Sequence, residues 1–268
     1  MAITPVDLSV TNITATSVRL NWVAGALNPL QALISALFGA GEQGAFYIPQ
    51  PVVNGAQALF QNAAGTVPVT ADGDPVGRML DQSGNGSYAS QAISSKRMLY
   101  SDQNGLLQDR VDDVITINGL DLVPASGSKT WTLCVGYSDL GSEAIILINQ
   151  ANSDNNFIGV GRSNSSTTIS SIGSTQDLIY FDGILENPST QNEMLTLMRA
   201  SSVIVIEFTV SESSTAWDAP SFGKYFSDSA LFYGPKKSEF LMIVEGSLTE
   251  SQRKNVEAYA AQQAGTTI

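Results

Sequence analysis

The stretch LFQNAAGTVPVTADGDPVGRMLDQSGNGSYASQ, residues 59–91, holds an unusual density of turn-forming residues. Glycine supplies positive φ, proline supplies a fixed φ, and aspartate and asparagine side chains hydrogen-bond to nearby backbone. The turn formers are Asn62, Gly65, Pro68, Asp72, Gly73, Asp74, Pro75, Gly77, Asp81, Gly84, Asn85 and Gly86. A generic surface loop has no need of such a long series. The block therefore either holds a ligand or fixes one particular path of the chain.

From about residue 111 onward, the sequence predicts a succession of β-strands. Short apolar runs are separated by clusters of Gly, Ser, Asn and Asp, and Trp131, Leu133, Val135 and Tyr137 alternate onto one face. The predicted strands are residues 114–117, 130–137, 144–149, 157–162, 177–181, 202–210, 230–234 and 239–246. Many short strands with turn-rich connections predict an all-β fold, either an antiparallel β-sandwich or a jelly roll.

The first 39 residues predict a β-hairpin followed by an amphipathic helix. Two alternating apolar runs flank the turn NITAT, and the hairpin TPVDLSVTNITATSVRLNW resembles the opening strands of a fibronectin type III domain as far as Trp22. A helix is expected over residues 27–38, with Asn28 as N-cap and Pro29 at the first helical position. Its apolar stripe packs either on its own domain or on a partner subunit.

The chain is also predicted to close with a helix that covers an edge or end of the β domain. Ser247 with Glu250, and Thr249 with Gln252, both have capping-box spacing. A short apolar stripe follows and ends before Gly265.

Three stretches taken together carry a family resemblance. They are GAGEQGAFYIP (39–49), the central stretch 59–92 and the terminal LTESQRKNVEAYAAQQAG (248–265). In this order and spacing they resemble the concanavalin A-like (LamG-like) domains of bacteriophage tail-fibre and other virion proteins. There, a GEQG-aromatic-Tyr entry leads to a TPVTADGDPVG segment, a D-x-SGNG turn and a VDD-type strand, which here is DRVDDVITI (109–117).

The resemblance implies a concanavalin A-like β-sandwich domain over residues 40–268, preceded by an attachment or oligomerisation segment over residues 1–39. One step departs from the family pattern. The entry Tyr47 is followed by Ile-Pro-Gln-Pro where family members have an Asp-Pro-Ser-like step. If the acidic residue of that step contacts a ligand or an ion in the family, this chain lacks the contact.

Composition narrows the classes of partner. The 268 residues contain 13 Lys and Arg against 25 Asp and Glu, for a net charge of −12, and no basic run stands out. This balance lacks the positive footprint of a nucleic-acid binder. No run approaches the roughly 18 apolar residues of a membrane span. We therefore expect neither nucleic-acid binding nor membrane insertion.

Targeting and redox signals are also informative. The opening MAITPVDLSV lacks the basic start and apolar core of a secretory signal. The single cysteine, Cys134, cannot form an intramolecular disulfide and is expected to be a small core residue. A virion protein made in the host bacterial cytoplasm fits both observations.

A calcium site is one interpretation of the central block. Asp72, Asp74 and Asp81 offer hard oxygen donors, and Ca²⁺ binds about six to eight oxygens. The spacing does not match an EF-hand loop. The alternative, which we prefer, is that these aspartates cap turns through their own backbone. We therefore expect no metal or other cofactor, and we interpret residues 59–91 as scaffold.

Catalysis finds little support in the residue types present. The chain has no histidine, which excludes Ser-His-Asp and Cys-His nucleophile systems. No E-x-D-x-E strand of a glycoside hydrolase occurs, and Glu207 is a lone acid in an apolar strand. We expect no catalytic residues and no enzyme activity, with a polysaccharide-degrading enzyme as the alternative.

Glycan binding has one candidate segment, residues 211–229. Trp217 and Tyr225 can stack on sugar rings while Asp218 orients the ligand. Alternatively, the aromatic residues of this segment close one end of the sandwich.

The resulting expectation is a bacteriophage virion protein displayed on the particle as a tail-fibre, head-fibre or decoration subunit. Its partners are other virion proteins, further copies of itself in a homo-oligomer, with a trimer favoured, and host surface glycan. A purely structural capsid or tail assembly subunit is the alternative.

Overall fold

The computed structural model describes residues 27–103, 105–140, 144–150, 157–163, 165, 174–212, 217, 220–223 and 234–268. The predicted N-terminal hairpin and residues 230–233 of one predicted strand lie outside these ranges. None of the helices that the structure describes has the length and apolar character needed to cross a bilayer.

Over the described residues the chain is mostly β, with 17 strands and three α-helices. In chain order they are α1 Pro29–Phe38, β1 Gly44–Tyr47, β2 Val52–Val53, β3 Ala56–Gln57, β4 Leu59–Phe60, β5 Arg78–Met79, β6 Ala89–Ser90, β7 Leu99–Ser101, β8 Gly105–Leu107, β9 Val114–Ile117, β10 Ser128–Asp139, β11 Ala144–Gln150, β12 Phe157–Arg162, β13 Ser174–Phe181, β14 Ile184–Glu186, α2 Gln191–Ala200, β15 Val203–Ser211, β16 Pro220–Gly223, β17 Lys237–Glu245 and α3 Glu250–Gln263. Seven of the eight predicted strands are confirmed in position.

The strands form two large antiparallel sheets. The larger sheet has the order β14-β13-β15-β10-β17-β8-β7, and β1 also pairs with β17. The smaller sheet has the order β12-β11-β16-β9-β6-β5-β4, and β2 with β3 makes a separate hairpin. This arrangement agrees with the predicted antiparallel, sandwich-like architecture.

The main core takes side chains from both large sheets. On β10 it includes Trp131, Leu133, Val135 and Tyr137, so the alternation predicted for this strand is confirmed. Strand β9 of the smaller sheet contributes Ile115 and Ile117 to the same cluster. The buried indole Nε1 of Trp131 donates to the carbonyl of Leu122 at 2.9 Å, which satisfies its one polar atom.

A second core lies on the opposite face of the larger sheet, beneath α1 and α3. Leu33, Leu37 and Phe38 of α1 are buried against strand residues that include Phe46 and Cys134. Burying each large side chain stabilises the docked helix by about 1.5–3 kcal/mol. The helix therefore packs on its own domain, which was the first of the two alternatives for its apolar stripe.

The helix starts follow the capping chemistry read from the sequence. The Asn28 side chain accepts from the Gln31 amide, and Pro29 occupies the first turn of α1. For α3, Thr249 is the N-cap and forms the capping box with Gln252, so the second of the two predicted boxes is the one used.

The helix α2 is absent from the sequence-based prediction, which expected strands throughout the middle of the domain. Thr190 caps it and forms a capping box with Glu193, a signal that was present in the sequence. Its buried Met194, Leu195 and Met198 join the main core. The fold is consequently mostly β with three helices in the described part, rather than all-β with helices only near its ends.

Gly44 is the position where strand β1 can approach β17 closely. Its φ is +143°, and a Cβ built there would lie 2.1 Å from the carbonyl oxygen of Ile243. A side chain at this position would collide with the backbone of the neighbouring strand. The glycine therefore sets how the chain enters the larger sheet.

Candidate functional site

Two of the three stretches that carry the family resemblance lie against each other. The Asn85 amide donates to the carbonyls of Glu42 and Gly44 at 3.0 and 3.1 Å. The Gln82 amide N–H donates to the carbonyl of Phe46 at 2.8 Å, and the Tyr47 hydroxyl donates to the carbonyl of Ser87. The GEQG entry and the D-x-SGNG turn thus form one structural unit although about 40 residues separate them in the chain.

Asp81 is the centre of this unit. Its Oδ1 accepts from the backbone amides of Phe46 and Ser83, each at 2.9 Å. Its Oδ2 accepts from the Ser83 hydroxyl at 2.6 Å and from the amides of Gly86 and Ser87 at 3.0 and 3.3 Å. Five donors from this chain surround the carboxylate, so both of its oxygens accept hydrogen bonds that stabilise the fold.

The other two aspartates considered as calcium ligands also accept hydrogen bonds from backbone amides. Asp74 accepts from the amides of Thr70 and Ala71 at 2.8 and 3.0 Å, and these hydrogen bonds lower the pKa of its carboxyl. Asp72 accepts from the amide of Asp102 at 3.0 Å. The contacts of Asp74 are local, as the turn-capping interpretation expects, whereas Asp72 binds the amide of a residue 30 positions away.

Trp217, proposed as a glycan-stacking residue, is fully buried at 0% exposure. It belongs to the main core, and its carbonyl accepts from the Leu122 amide at 3.0 Å. This placement fits the alternative in which the aromatic segment closes an end of the sandwich, and it leaves no ring face open to a sugar. Asp218 and Tyr225 lie outside the described residues.

Three carboxylates that sequence reasoning did not single out come together in the loop before β9. One carboxylate oxygen from each of Asp109, Asp112 and Asp113 lies within 4.8 Å of the others. The buried Asp113 accepts from the Asp109 amide at 2.7 Å, and burial raises the pKa of its carboxyl to about 6. Asp109 accepts in turn from the Val111 amide at 2.7 Å. The cluster is a tight acidic turn, and carboxylates alone do not define a metal site.

Glu207 and Cys134 lie on two neighbouring interior strands of the larger sheet, β15 and β10. Glu207 is half-buried on β15, where its neighbours on the two adjacent strands are Thr132 and Leu178. A retaining or inverting glycosidase needs a second carboxyl group across the scissile bond, and neither cross-strand neighbour is acidic. Cys134 is a buried free thiol whose pKa is raised by burial, which fits the predicted core role.

A groove of about 450 Å³ opens beside the GEQG motif. One wall consists of Leu37 with residues 40–42, and the other consists of residues 245–248 with Gln252. A volume in this range is typical of small-molecule sites. The sequence predicted neither the groove nor its lining residues, because the two walls are about 200 residues apart in the chain.

Hydrogen bonds between the elements hold the groove open in one shape. The Glu245 amide donates to the carbonyl of Gln43 at 2.8 Å, which joins the two walls. The Gln252 side-chain amide donates to the carbonyl of Ala36 at 2.6 Å, which ties α3 to α1. A ligand would therefore meet a preformed surface and would not have to order it.

No protein-family model and no curated protein matches this chain.

Proposed function

We propose that this chain is a module of a bacteriophage virion, displayed on the particle surface as a tail-fibre, head-fibre or decoration subunit, with weak binding of host glycan as its means of adhesion. In this proposal the two antiparallel sheets form a concanavalin A-like jelly roll. Residues before α1 attach the module to other virion proteins or to further copies of itself, with a trimer favoured.

The observation that carries the proposal is the contact between two motifs of the resemblance, the GEQG entry and the D-x-SGNG turn. Asp81 binds the amide of Phe46, and Asn85 binds the carbonyls of Glu42 and Gly44. Hydrogen bonds between two motifs that are distant in sequence fix the path of the chain between them. This supports the use of the GEQG and D-x-SGNG motifs as marks of a shared domain architecture.

A purely structural assembly subunit without glycan binding is the second candidate. The burial of Trp217 favours it, since the residue first considered for sugar stacking is part of the core. Adhesion through glycan therefore requires a binding surface other than this ring.

The location of the protein tests the proposal directly. Immunogold electron microscopy of purified phage particles, with copy number from quantitative mass spectrometry, should place the protein on the particle surface in a multiple of three copies. Absence from purified particles would overturn the virion assignment, and a copy number of one would overturn the trimer.

A truncation separates attachment from folding. Deletion of residues 1–26 leaves α1 and its buried Leu33, Leu37 and Phe38 in place. The shortened protein should keep its thermal unfolding temperature but lose incorporation into particles. Normal incorporation would show that attachment lies elsewhere in the chain.

Binding to the host separates the two candidates. The adhesion role predicts that purified full-length protein binds host cells or their isolated surface polysaccharide, and the structural role predicts no binding. Shortening of the polysaccharide with time, lost on Glu207→Gln, would instead indicate a depolymerase.

A further inference from the structure

We propose that the groove between α1 and the start of α3 is a binding site for a neutral, hydroxyl-rich ligand, a saccharide unit without a charged group. This inference rests on the proposed function, since it places glycan binding at a site that the sequence did not single out. It moves the ligand away from Trp217, which is buried, to a surface that is open.

The groove contains hydrogen-bond acceptors that already have one partner each. Glu42 accepts from the Ala40 amide through Oε2 at 2.9 Å, and Glu245 pairs with Lys129 through Oε1 at 3.2 Å. Each carboxylate has a second oxygen, and both residues line the groove. About one third of the Glu245 side chain is exposed, so it remains accessible to a ligand.

The same groove contains donors and an apolar surface. The exposed Ser247 hydroxyl donates and accepts, and the Gln252 amide nitrogen has a second N–H beyond the one given to Ala36. The half-buried side chain of Leu248 supplies the apolar surface of the lining, whereas Leu37 is buried in the second core. Carbon–hydrogen faces of a sugar ring can pack on such an apolar surface.

The mixture of donors and acceptors selects the chemical class of the ligand. An anionic ligand would face the carboxylates of Glu42 and Glu245 at close range. A simple cation would pair with these carboxylates but would offer no acceptor to the second N–H of the Gln252 amide. A hydroxyl group both donates and accepts, so a neutral saccharide can satisfy both sets at once.

Two-dimensional ¹H–¹⁵N NMR titration of the full-length protein tests the inference. The probes are the methyl glycosides of glucose, galactose, mannose and N-acetylglucosamine, with glucosamine and glucuronic acid as the charged comparisons. At least one neutral glycoside should shift the amides of Gly41, Gly246 and Ser247. Glucuronic acid should bind about ten-fold more weakly than that glycoside or worse.

Three variants assign any binding to the groove. Ala40→Trp fills the groove without a change of charge, and Glu42→Gln with Glu245→Gln removes the two carboxylates. Each should weaken binding by about ten-fold or more. Glu186→Gln is the matched control and should leave binding unchanged, because β14 is four strands, about 19 Å, from β17. Thermal unfolding of each variant identifies any that lose the fold.

Several outcomes would overturn the inference. The first is that no neutral glycoside shifts these amides. The second is preferential binding of glucosamine, which would indicate a cation site. The third is unchanged affinity for the glycoside in a folded Ala40→Trp protein. The proposed function is tested by a separate measurement, the location of the protein on purified particles. Protein found on particles but without groove binding would remove only this site, whereas groove binding by a protein absent from particles would remove only the virion role.

Discussion

Arg253 and Glu257 form a buried ion pair on α3, with Nη1 and Oε2 2.6 Å apart and side-chain exposures of 12% and 2%. Arg253 also donates to the carbonyl of Gly183 at 3.3 Å, and its guanidinium lies 4.0 Å from the ring centre of Tyr180. Burial raises the pKa of the Glu257 carboxyl, and the hydrogen bond from Arg253 opposes that rise. The pair therefore joins α3 to the turn between β13 and β14.

Removal of one partner of this pair should be strongly destabilising. Arg253→Met leaves the Glu257 carboxylate buried without a counter-charge, and we expect a loss of about 3 kcal/mol in the free energy of unfolding by urea denaturation. The control is Lys254→Met, which breaks a pair of the same spacing with Glu250, where the side chains are 64% and 73% exposed. That change should cost less than about 0.5 kcal/mol. Equal losses in the two variants would contradict the burial argument.

Asp81 should matter more for stability than the other aspartates of the central block. Asp81→Ala removes the acceptor of five hydrogen bonds and leaves partly buried amides unpaired, so we expect a loss of about 3 kcal/mol in unfolding free energy. Asp72→Ala, at an exposed residue with one such bond, should cost about 1 kcal/mol or less. If calcium raised the unfolding temperature of the wild type but not that of Asp81→Ala, the result would support a calcium site at Asp81.

Gly44 should not tolerate a side chain. Gly44→Ala places a Cβ 2.1 Å from the Ile243 carbonyl oxygen, and we expect about 3 kcal/mol of destabilisation by urea or thermal unfolding. Gly73→Ala is the comparison, because φ is +80° there and no atom lies within 4 Å of the added Cβ. Its cost should be about 1 kcal/mol from backbone strain alone. If both variants lost the same amount, the close approach of β1 to β17 would not be the cause.

The stability of the domain should decrease as the pH rises through the range in which Asp113 titrates. Its folded-state pKa of about 6 is higher than the ordinary aspartate value of 3.8, so the folded state holds this proton more tightly than the unfolded state does. The resulting stabilisation is complete below the unfolded pKa and is lost as the pH rises to about 6.

Asp113→Asn tests this titration. The neutral side chain keeps an oxygen for the Asp109 amide, so the variant should match the wild type near pH 4 and exceed it at pH 7 by up to about 3 kcal/mol. Urea denaturation at several pH values measures the difference. A constant difference across this range would exclude Asp113 as the titrating group.

Trp217 should behave as a core residue. Trp217→Ala is expected to lower the free energy of unfolding by about 3–5 kcal/mol. Trp217→Phe should lose less, because it keeps most of the ring and removes an indole N–H that is buried without an acceptor. Folded Trp217→Phe protein should retain any glycan binding. A selective loss of binding in that variant would show that the ring contacts the ligand.

Local features of this fold were accessible from sequence because they depend on near neighbours. The alternation of Trp131, Leu133, Val135 and Tyr137 predicted one buried face, and Asn28 and Thr249 marked the starts of α1 and α3. The same logic should have found α2, whose capping box spans Thr190 and Glu193. The strand patterns on both sides of residues 191–200 favoured a continuous β region over the helix that this capping box indicates.

By itself the sequence determined the strand-rich class, the helix caps and the turn chemistry of residues 59–91, since periodicity and φ preferences act over a few residues. Only the tertiary structure decided that Asp81 accepts from Phe46, that Trp217 is buried and that residues 40–42 face residues 245–248 across a groove. These relationships join positions that are far apart in the chain. They arise when sheets pair and pack, and no local pattern encodes which distant backbone a side chain will meet.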